Sequence, residues 1–355
     1  MTTCDNSKEA IMQHEISAPA PLLRDDGSLM EAGYSTYPLL VYDRSLVKGG
    51  KSRIKEWDYY LIHNERYAVA LTVDDNSYMG MMSVSFIDFE KRGEITKSVI
   101  IPLTFGKVKL PASSDSGDVV YKNSRVSFEF LHEGDGRRLK VKFKRFKGKE
   151  PFECDFYLFE EPRDSMVIAT PFAEKKTAFY YNQKIIGMRA QGTVYYDRKK
   201  FKFTPGNTYG LLDWGRGVWT YDNTWLWSAA QGTVEGHKFG FNLGYGFGDT
   251  SAASENMLFY DGVAHKLEDV EFIIPKTESG SDDYMSPWRF TSNDGRLKLN
   301  FVPILDRKAK TSLGIIMSDQ HQVFGRFSGA AKLDNGTIVK LDSFLGFAEK
   351  VHNKW

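Results

Sequence analysis

The chain has 355 residues, with 47 Lys+Arg against 46 Asp+Glu and a net charge of +1, so no global field draws it to nucleic acid or to an anionic membrane. Its length suits two domains of ordinary size or one large all-β domain, and does not by itself choose between them. The 2 cysteines, Cys4 and Cys154, and the 7 histidines form no disulfide framework, no HxH or HExxH motif and no Cys/His cluster, so neither a metal nor another cofactor is expected.

The first segment, Met1 to Ser17, is polar, contains Asp5, Lys8, Glu9 and Glu15, and lacks the apolar run and small-residue cleavage site of a signal peptide. No later stretch is long and apolar enough for a transmembrane helix, which predicts a soluble, cytoplasmic protein. Residues 1–30 are read as a partly extended N-terminal segment. After it, Lys55-Glu56-Trp57-Asp58-Tyr59-Tyr60 opens a run of strands. Apolar residues then recur at period 2, as in Val126-Phe128-Phe130 and in Leu139-Val141-Phe143 with lysines 140, 142 and 144 between them. The basic strip from Arg137 to Lys149 is therefore the solvated face of a strand and has no aromatic interleaving for base stacking. His63 likewise falls in an alternating pattern and reads as a core or surface residue, not a ligand.

Charge and proline interrupt the pattern at Glu160-Glu161-Pro162-Arg163-Asp164-Ser165, which suggests a boundary. Phe179-Tyr180-Tyr181-Asn182 opens the next strand run, and Phe239-Phe241-Leu243 and Leu297-Leu299-Phe301 continue the alternation. Asp135-Gly136, Asp261-Gly262, Asp294-Gly295 and Asn335-Gly336 supply the positive φ angles that hairpin turns need. The sequon at Asn335-Gly336-Thr337 is read as such a turn, and the Ser/Gly/Asp-rich stretch Thr277 to Tyr284 as a surface connection. Short helices are conceivable only near Met30 or over Phe172 to Thr177. The fold class is all-β: two consecutive antiparallel β-barrel-like halves, over residues 31–165 and 166–355.

The densest chemistry lies in Asp213-Trp214-Gly215-Arg216-Gly217-Val218-Trp219-Thr220-Tyr221-Asp222-Asn223-Thr224-Trp225-Leu226-Trp227. Tryptophan faces interleaved with Asp213, Arg216 and Asp222 read either as an aromatic-lined pocket holding a few polar groups or as a buried ion pair in an aromatic core. Asn242-Leu243-Gly244-Tyr245-Gly246-Phe247-Gly248-Asp249 lacks the P-loop lysine and a βαβ setting, so its glycines mark sharp bends or close approaches of strands. Asp249, Glu255 and Asn256 follow, and would join the tryptophans if this loop folded over them.

These segments resemble bacterial proteins carrying the domain of unknown function 2804. The likeness rests on Pro21-Leu22-Leu23 with Asp26-Gly27, the strand at Lys55 to Tyr60, Ser83-Val84-Ser85-Phe86-Ile87-Asp88, Asp213 to Trp219, Asn242-Leu243-Gly244, Gly246-Phe247-Gly248-Asp249 and Glu255-Asn256. A more distant similarity is to the lipocalin-like group of carotenoid 1,2-hydratase and tocopherol cyclase, through Glu56-Trp57-Asp58-Tyr59 and Asp213-Trp214-Gly215, which implies that the two all-β halves are lipocalin-like (calycin-like) β-barrel halves. That group's motif has a histidine after the aspartate; here none follows Asp213.

The resemblance implies a cofactor-independent hydratase, isomerase or cyclase acting on an apolar or amphipathic small molecule. Asp213 would be the acid, with Arg216, Asp249 and Glu255 as secondary groups. An unsolvated carboxyl group among aromatics is raised in pKa and can donate a proton, although a partner such as Arg216 opposes that rise. Trp214, Trp219, Tyr221, Trp225, Trp227, Asn242 and Asn256 are the expected ligand-binding residues, through aromatic faces and amide hydrogen bonds. Two other functions fit the same residues. One is a non-catalytic lipid or isoprenoid carrier; the other is a glycan-active or glycan-binding protein, which needs paired carboxylates and tryptophans exposed along a groove. A structural Asp213–Arg216 pair at the Gly215 and Gly217 turn is the bland alternative for the motif.

Overall fold

The computed structural model describes residues 13–313 and 316–355; Cys4 and the start of the N-terminal segment lie outside them. The described residues form twenty-four strands and two single-turn 3-10 helices, Arg44–Leu46 and Lys51–Arg53. Met30 and residues 172–177 are bends and turns instead of helix. No helix among the described residues is long and apolar enough to cross a membrane.

In chain order the strands are β1 (Ala20–Pro21), β2 (Gly33–Ser35), β3 (Leu40–Val41), β4 (Lys55–His63), β5 (Tyr67–Asp75), β6 (Met79–Asp88), β7 (Gly93–Pro102) and β8 (Val119–Lys122). Next come β9 (Val126–Glu133), β10 (Gly136–Lys147), β11 (Glu150–Phe159), β12 (Met166–Pro171), β13 (Phe179–Tyr196), β14 (Lys199–Phe203) and β15 (Tyr209–Val218). The remainder are β16 (Asp222–Val234), β17 (His237–Tyr245), β18 (Met257–Tyr260), β19 (Val263–Lys266), β20 (Val270–Ile273), β21 (Trp288–Ser292), β22 (Leu297–Leu313), β23 (Ile316–Lys332) and β24 (Ile338–Lys354).

The first sheet runs β7-β6-β5-β4-β15-β13-β11-β10-β9-β8, with β12, β14 and β2 attached through β13. The second runs β19-β18-β17-β16-β24-β23-β22-β21-β20, and β1 and β3 form a small parallel pair. Both large sheets are antiparallel and curl into lipocalin-like half-barrels. Val99 of β7 and Val119 of β8, from opposite edges, share one core although their strands do not pair.

The sheets divide at residues 219–221, between β15 and β16. Residue 165, where charge and proline interrupt the alternation, lies inside the first sheet, between β11 and β12. The reason is the length of β13: residues 179–184 pair with β12 and residues 189–196 pair with β11. A polar interruption in the chain thus became a connection between two strands bound to the same neighbour.

Three cores follow. Inside the first half, β-strand residues such as Phe128, Phe143 and Phe156 pack with Leu22, Leu29 and Tyr42 from the N-terminal segment and with Val108 and Leu110 from the β7–β8 connection. Inside the second half, Trp288, Phe290, Phe301 and Phe327 form an aromatic centre. The third core joins the outer faces of the two sheets: Tyr59, Leu61, Tyr180 and Leu211 meet Trp227, Ala229, Phe324 and Phe347. Strands at this seam are buried on both faces, so β15 is buried along its whole length and does not alternate with solvent.

Elsewhere the period-2 reading holds. Leu139, Val141 and Phe143 are buried while lysines 140, 142 and 144 are exposed. Arg137 is the exception in that strip, buried with its Nε and Nη2 each 3.0 Å from the Glu161 carboxylate. Asp261-Gly262 forms a two-residue turn with φ of 48° and 78°. At the β9–β10 hairpin the turn residues are Gly134 and Asp135, one position earlier than the Asp-Gly dipeptide, because Gly136 already pairs with Glu133. The Thr277 to Tyr284 connection is tied down, since Asp282 accepts from Lys276 at 2.6 Å and from Lys350 at 2.7 Å.

Candidate functional site

The polar residues of the seam are placed by strand alternation. Along β13, Phe179, Tyr181 and Ile185 enter the first core, while Tyr180 and Ile186 enter the seam core, and Asn182 and Lys184 share the parity of the latter. On β15, Leu212 and Trp214 point into the first half and Leu211 into the seam, so Asp213 takes the seam face. Register then sets Lys184 directly opposite Asp213. Their Nζ and Oδ1 lie 2.9 Å apart, and the same Oδ1 accepts from Asn182 Nδ2 at 2.7 Å.

The second half supplies the rest. Glu255 Oε2 lies 4.0 Å from Lys184 Nζ, whose ammonium sits 4.1 Å from the Trp227 ring centroid. Asn242 ties this side together: its Oδ1 accepts from Trp227 Nε1 at 2.8 Å, and its Nδ2 donates to the Glu255 carbonyl at 2.8 Å and to Oε2 at 3.3 Å. A third carboxylate, Glu349, stands opposite Trp227 in the β16–β24 register and accepts from Trp225 Nε1 at 3.2 Å and Gln322 Nε2 at 3.1 Å. Arg307 Nε in turn donates to Gln322 Oε1 at 3.0 Å. Aromatic rings wall the cluster. Trp57 stacks on Tyr180 at 6.1 Å, and the ring of Phe247 meets Tyr180, Trp219 and Trp225 edge-on at 4.9, 5.3 and 5.2 Å.

Desolvation dominates the electrostatics. Burial raises the Glu255 carboxyl, with the Lys184 charge opposing, and lifts Glu349 to about 7 against the help of Trp225 and Arg307. The Tyr180 hydroxyl is driven well above its ordinary value by burial and by the charges of Glu255, Asp213 and Glu349. The cluster is not sealed: the side chains of Asp213 and Glu255 keep 10% and 13% of their surface accessible, against 3% for Lys184. Carboxyl groups raised by burial, as Glu255 and Glu349 are, are suited to proton exchange near neutrality.

The structure thus brings together Asp213, Glu255, Asn242, Trp219, Trp225 and Trp227. It does not include Arg216, which sits fully buried on the opposite face of β15. There Arg216 donates to Asp58 Oδ1 at 3.0 Å, to the Trp57 carbonyl at 2.7 Å and to the Pro111 carbonyl at 2.8 Å. Trp214 is on that face too, its ring 4.2 Å from the guanidinium. No Asp213–Arg216 pair forms, because residues three apart on a strand face opposite ways. Asp249 lies in the loop after β17, half-buried, and its Oδ1 accepts from Ser251 N at 3.0 Å. Tyr221 occupies the exposed connection between the sheets. Asn256 is buried in a supporting position, accepting from Gly244 N at 2.8 Å and donating to the Glu268 carbonyl at 2.9 Å.

Lys184, Asn182, Tyr180 and Glu349 were not singled out by the sequence reading. The available signal was weak: Asn182 and Lys184 share one parity between the apolar ends Phe179 and Ile186, but Gln183 puts a polar side chain on the other face as well. Reading that stretch only as the opening of a strand hid it.

Gly215 is also on the seam face, and a Cβ there would enter the Trp57 indole. Gly215→Ala is expected to destabilise the fold by about 1–3 kcal/mol, because a tightly packed ring must move. Urea unfolding followed by tryptophan fluorescence checks this, and an unaltered midpoint would mean that Trp57 can shift freely.

Comparison with known proteins gives the following. The family model described as domain of unknown function (DUF2804) matches residues 13–355. No curated protein matches the chain in sequence. Among solved structures, an AttH-like protein from Nitrosomonas europaea is similar with a TM-score of 0.55 at 11% identity, over 90% of this chain and 98% of that one. Kievitone hydratase from Nectria haematococca gives a TM-score of 0.47 at 10% identity, over 95% of this chain and 98% of that one. The first likeness establishes a shared fold across nearly both chains.

Proposed function

Since the chain belongs to the family of the domain of unknown function DUF2804, whose description assigns no activity, we propose a function from the site itself: proton transfer, without a cofactor, on a small apolar or amphipathic molecule held at the seam between the half-barrels. The observation that carries this reading is the placing of three carboxyl groups at one aromatic-walled seam, Asp213 and Glu255 at Lys184 and Glu349 opposite Trp227 with Trp225 and Gln322 donating to it. Glu349, lifted to about 7, is the group best matched to give or take a proton near neutrality. Asp213 is the charge partner that fixes Lys184, and Glu255 is the second carboxyl group within reach of that ammonium. The acid role that the motif suggested for Asp213 therefore passes to Glu349. Trp225 and Trp227 orient the carboxylate and amide and present ring faces to the ligand.

A carrier is the second reading, and one observation favours it: Lys184 and Asn182 both engage Asp213 Oδ1 without a substrate. A glycan groove needs exposed tryptophan faces, whereas Trp214, Trp219 and Trp227 are buried.

The test is incubation of the protein with a panel of unsaturated apolar and amphipathic small molecules in deuterated water, read by mass spectrometry. Deuterium incorporation, addition of water or isomerisation that is lost in Glu349→Gln supports catalysis. Saturable binding of a panel member with no turnover supports the carrier, and turnover that survives Glu349→Gln overturns the role of Glu349.

A further inference from the structure

A cleft of about 430 Å³ opens beside the acid–base cluster, between the turns Glu235-Gly236 and Asp261-Gly262 and the segment 160–163. Its size is in the range of small-molecule sites. Ile186 and Phe259 give its floor an apolar part, and the strand backbone from Phe239 to Gly240 and at Gly187 completes it. Most charges at its rim have partners. Glu160 holds Lys238, Glu161 is paired with Arg137 at 3.0 Å and Arg163 with Asp164 at 3.0 Å, while Asp261 is hydrogen-bonded to His237 at 2.7 Å, an imidazole that is a cation only when protonated. Arg189 has no carboxylate partner among the described residues.

Arg189 is nevertheless held in place. Its Nη1 donates to Tyr209 Oη at 2.8 Å and lies 3.4 Å from the carbonyls of Pro205 and Gly206, and its guanidinium sits 4.8 Å from the Tyr209 ring centroid. Every one of those hydrogen bonds uses Nη1, which leaves Nε and Nη2 for a planar or tetrahedral anion. A fixed, uncompensated guanidinium beside an apolar floor is complementary to one kind of molecule.

We propose that this cleft binds an amphipathic anion, with its carboxylate, sulfonate or phosphate head on Arg189 and its apolar body along Ile186 and Phe259. Ile186 is two residues from Lys184 on the same face of β13, and Gly240 is two residues from Asn242 on β17, so the floor lies one strand step, about 7 Å, from the polar cluster. That the bound molecule also extends to the acid–base cluster rests on the proposed function; binding in the cleft does not.

The experiment uses 8-anilinonaphthalene-1-sulfonate as the probe, titrated by fluorescence and displaced with dodecanoate. Saturable binding is expected, with affinity falling at least tenfold in Arg189→Gln and by less than twofold in Arg163→Gln, whose guanidinium is already paired. Photolabelling of the unaltered protein with a diazirine-bearing long-chain carboxylate gives a measurement that does not depend on a variant folding. Labels are expected in peptides containing residues 186–189, 238–240 or 259–262. Absence of saturable binding, equal affinity in Arg189→Gln, or labels confined to other peptides would each overturn the proposal. Loss of turnover in Glu349→Gln with probe binding intact separates this site from the proton-transfer reading.

Discussion

Lys184→Met is expected to lower the unfolding free energy by about 3–5 kcal/mol, the cost of leaving a buried charge without its partner. Lys184 is 3% exposed and is the ammonium beside both Asp213 and Glu255, so its loss strands two carboxylates in a seam with little water. Asn182 still donates to Asp213, but one neutral amide cannot replace a cation. Adding Asp213→Leu to the variant is expected to recover much of the loss, because apolar side chains of similar volume often replace a buried ion pair at little net cost. Chemical denaturation of the wild type and both variants measures this. Equal stability of the wild type and Lys184→Met would mean that the seam is hydrated and that its charges are not buried against one another.

Glu349→Gln should change how stability depends on pH. The Glu349 carboxyl stands at about 7 in the folded chain against 4.5 for the free side chain, chiefly through burial. A group raised in this way supports folding fully below its unfolded value and loses that contribution as pH climbs through the folded value. At about 1.4 kcal/mol per unit, the shift corresponds to about 3 kcal/mol lost by the wild type between pH 4.5 and pH 7. Glutamine keeps the shape and cannot ionise. Wild type and variant should therefore be equally stable near pH 4, with the variant ahead by about 3 kcal/mol at pH 8. Taking the difference between the two proteins cancels other titrating groups, including Asp74, which burial lifts to about 8. A difference that stays flat with pH would show that Glu349 is ionised at ordinary values, and the acid assigned to it would fail.

The two variants also separate positioning from chemistry. Asp213 and Lys184 form a matched pair across adjacent strands, whereas Glu349 has no ion-pair partner among the described residues and accepts from Trp225 and Gln322, with Arg307 reaching only Gln322. An ion pair that is complete in itself holds geometry; a carboxyl group poised near neutrality can pass a proton.

Much of this was legible in the residues. Period-2 alternation marks Leu139, Val141 and Phe143 as inward and their lysines as outward, since neighbouring side chains on a strand must face opposite ways. The same rule separates Asp213 from Arg216, three positions apart, once the segment is known to be a single straight strand and not a turn at Gly215 and Gly217. Those glycines suggested a turn, but they sit within β15, where a Cβ would meet Trp57 at one position and the Phe179 carbonyl at the other. Their role is close approach of neighbouring groups, which local sequence does not reveal.

The sequence by itself determined an all-β chain of two antiparallel half-barrels, its hairpin glycines, its solvated lysine faces and the concentration of aromatic and acidic residues near Asp213. These are local properties, fixed by backbone sterics and by the alternation of side chains. Only the tertiary structure decided that the sheets divide after β15, that their outer faces pack together, and that Lys184 meets Asp213 and Glu255 there, with Glu349 at the same seam opposite Trp227. Those residues are distant in the chain, and their meeting depends on strand register and on which face of each sheet is buried, two quantities that no single segment encodes.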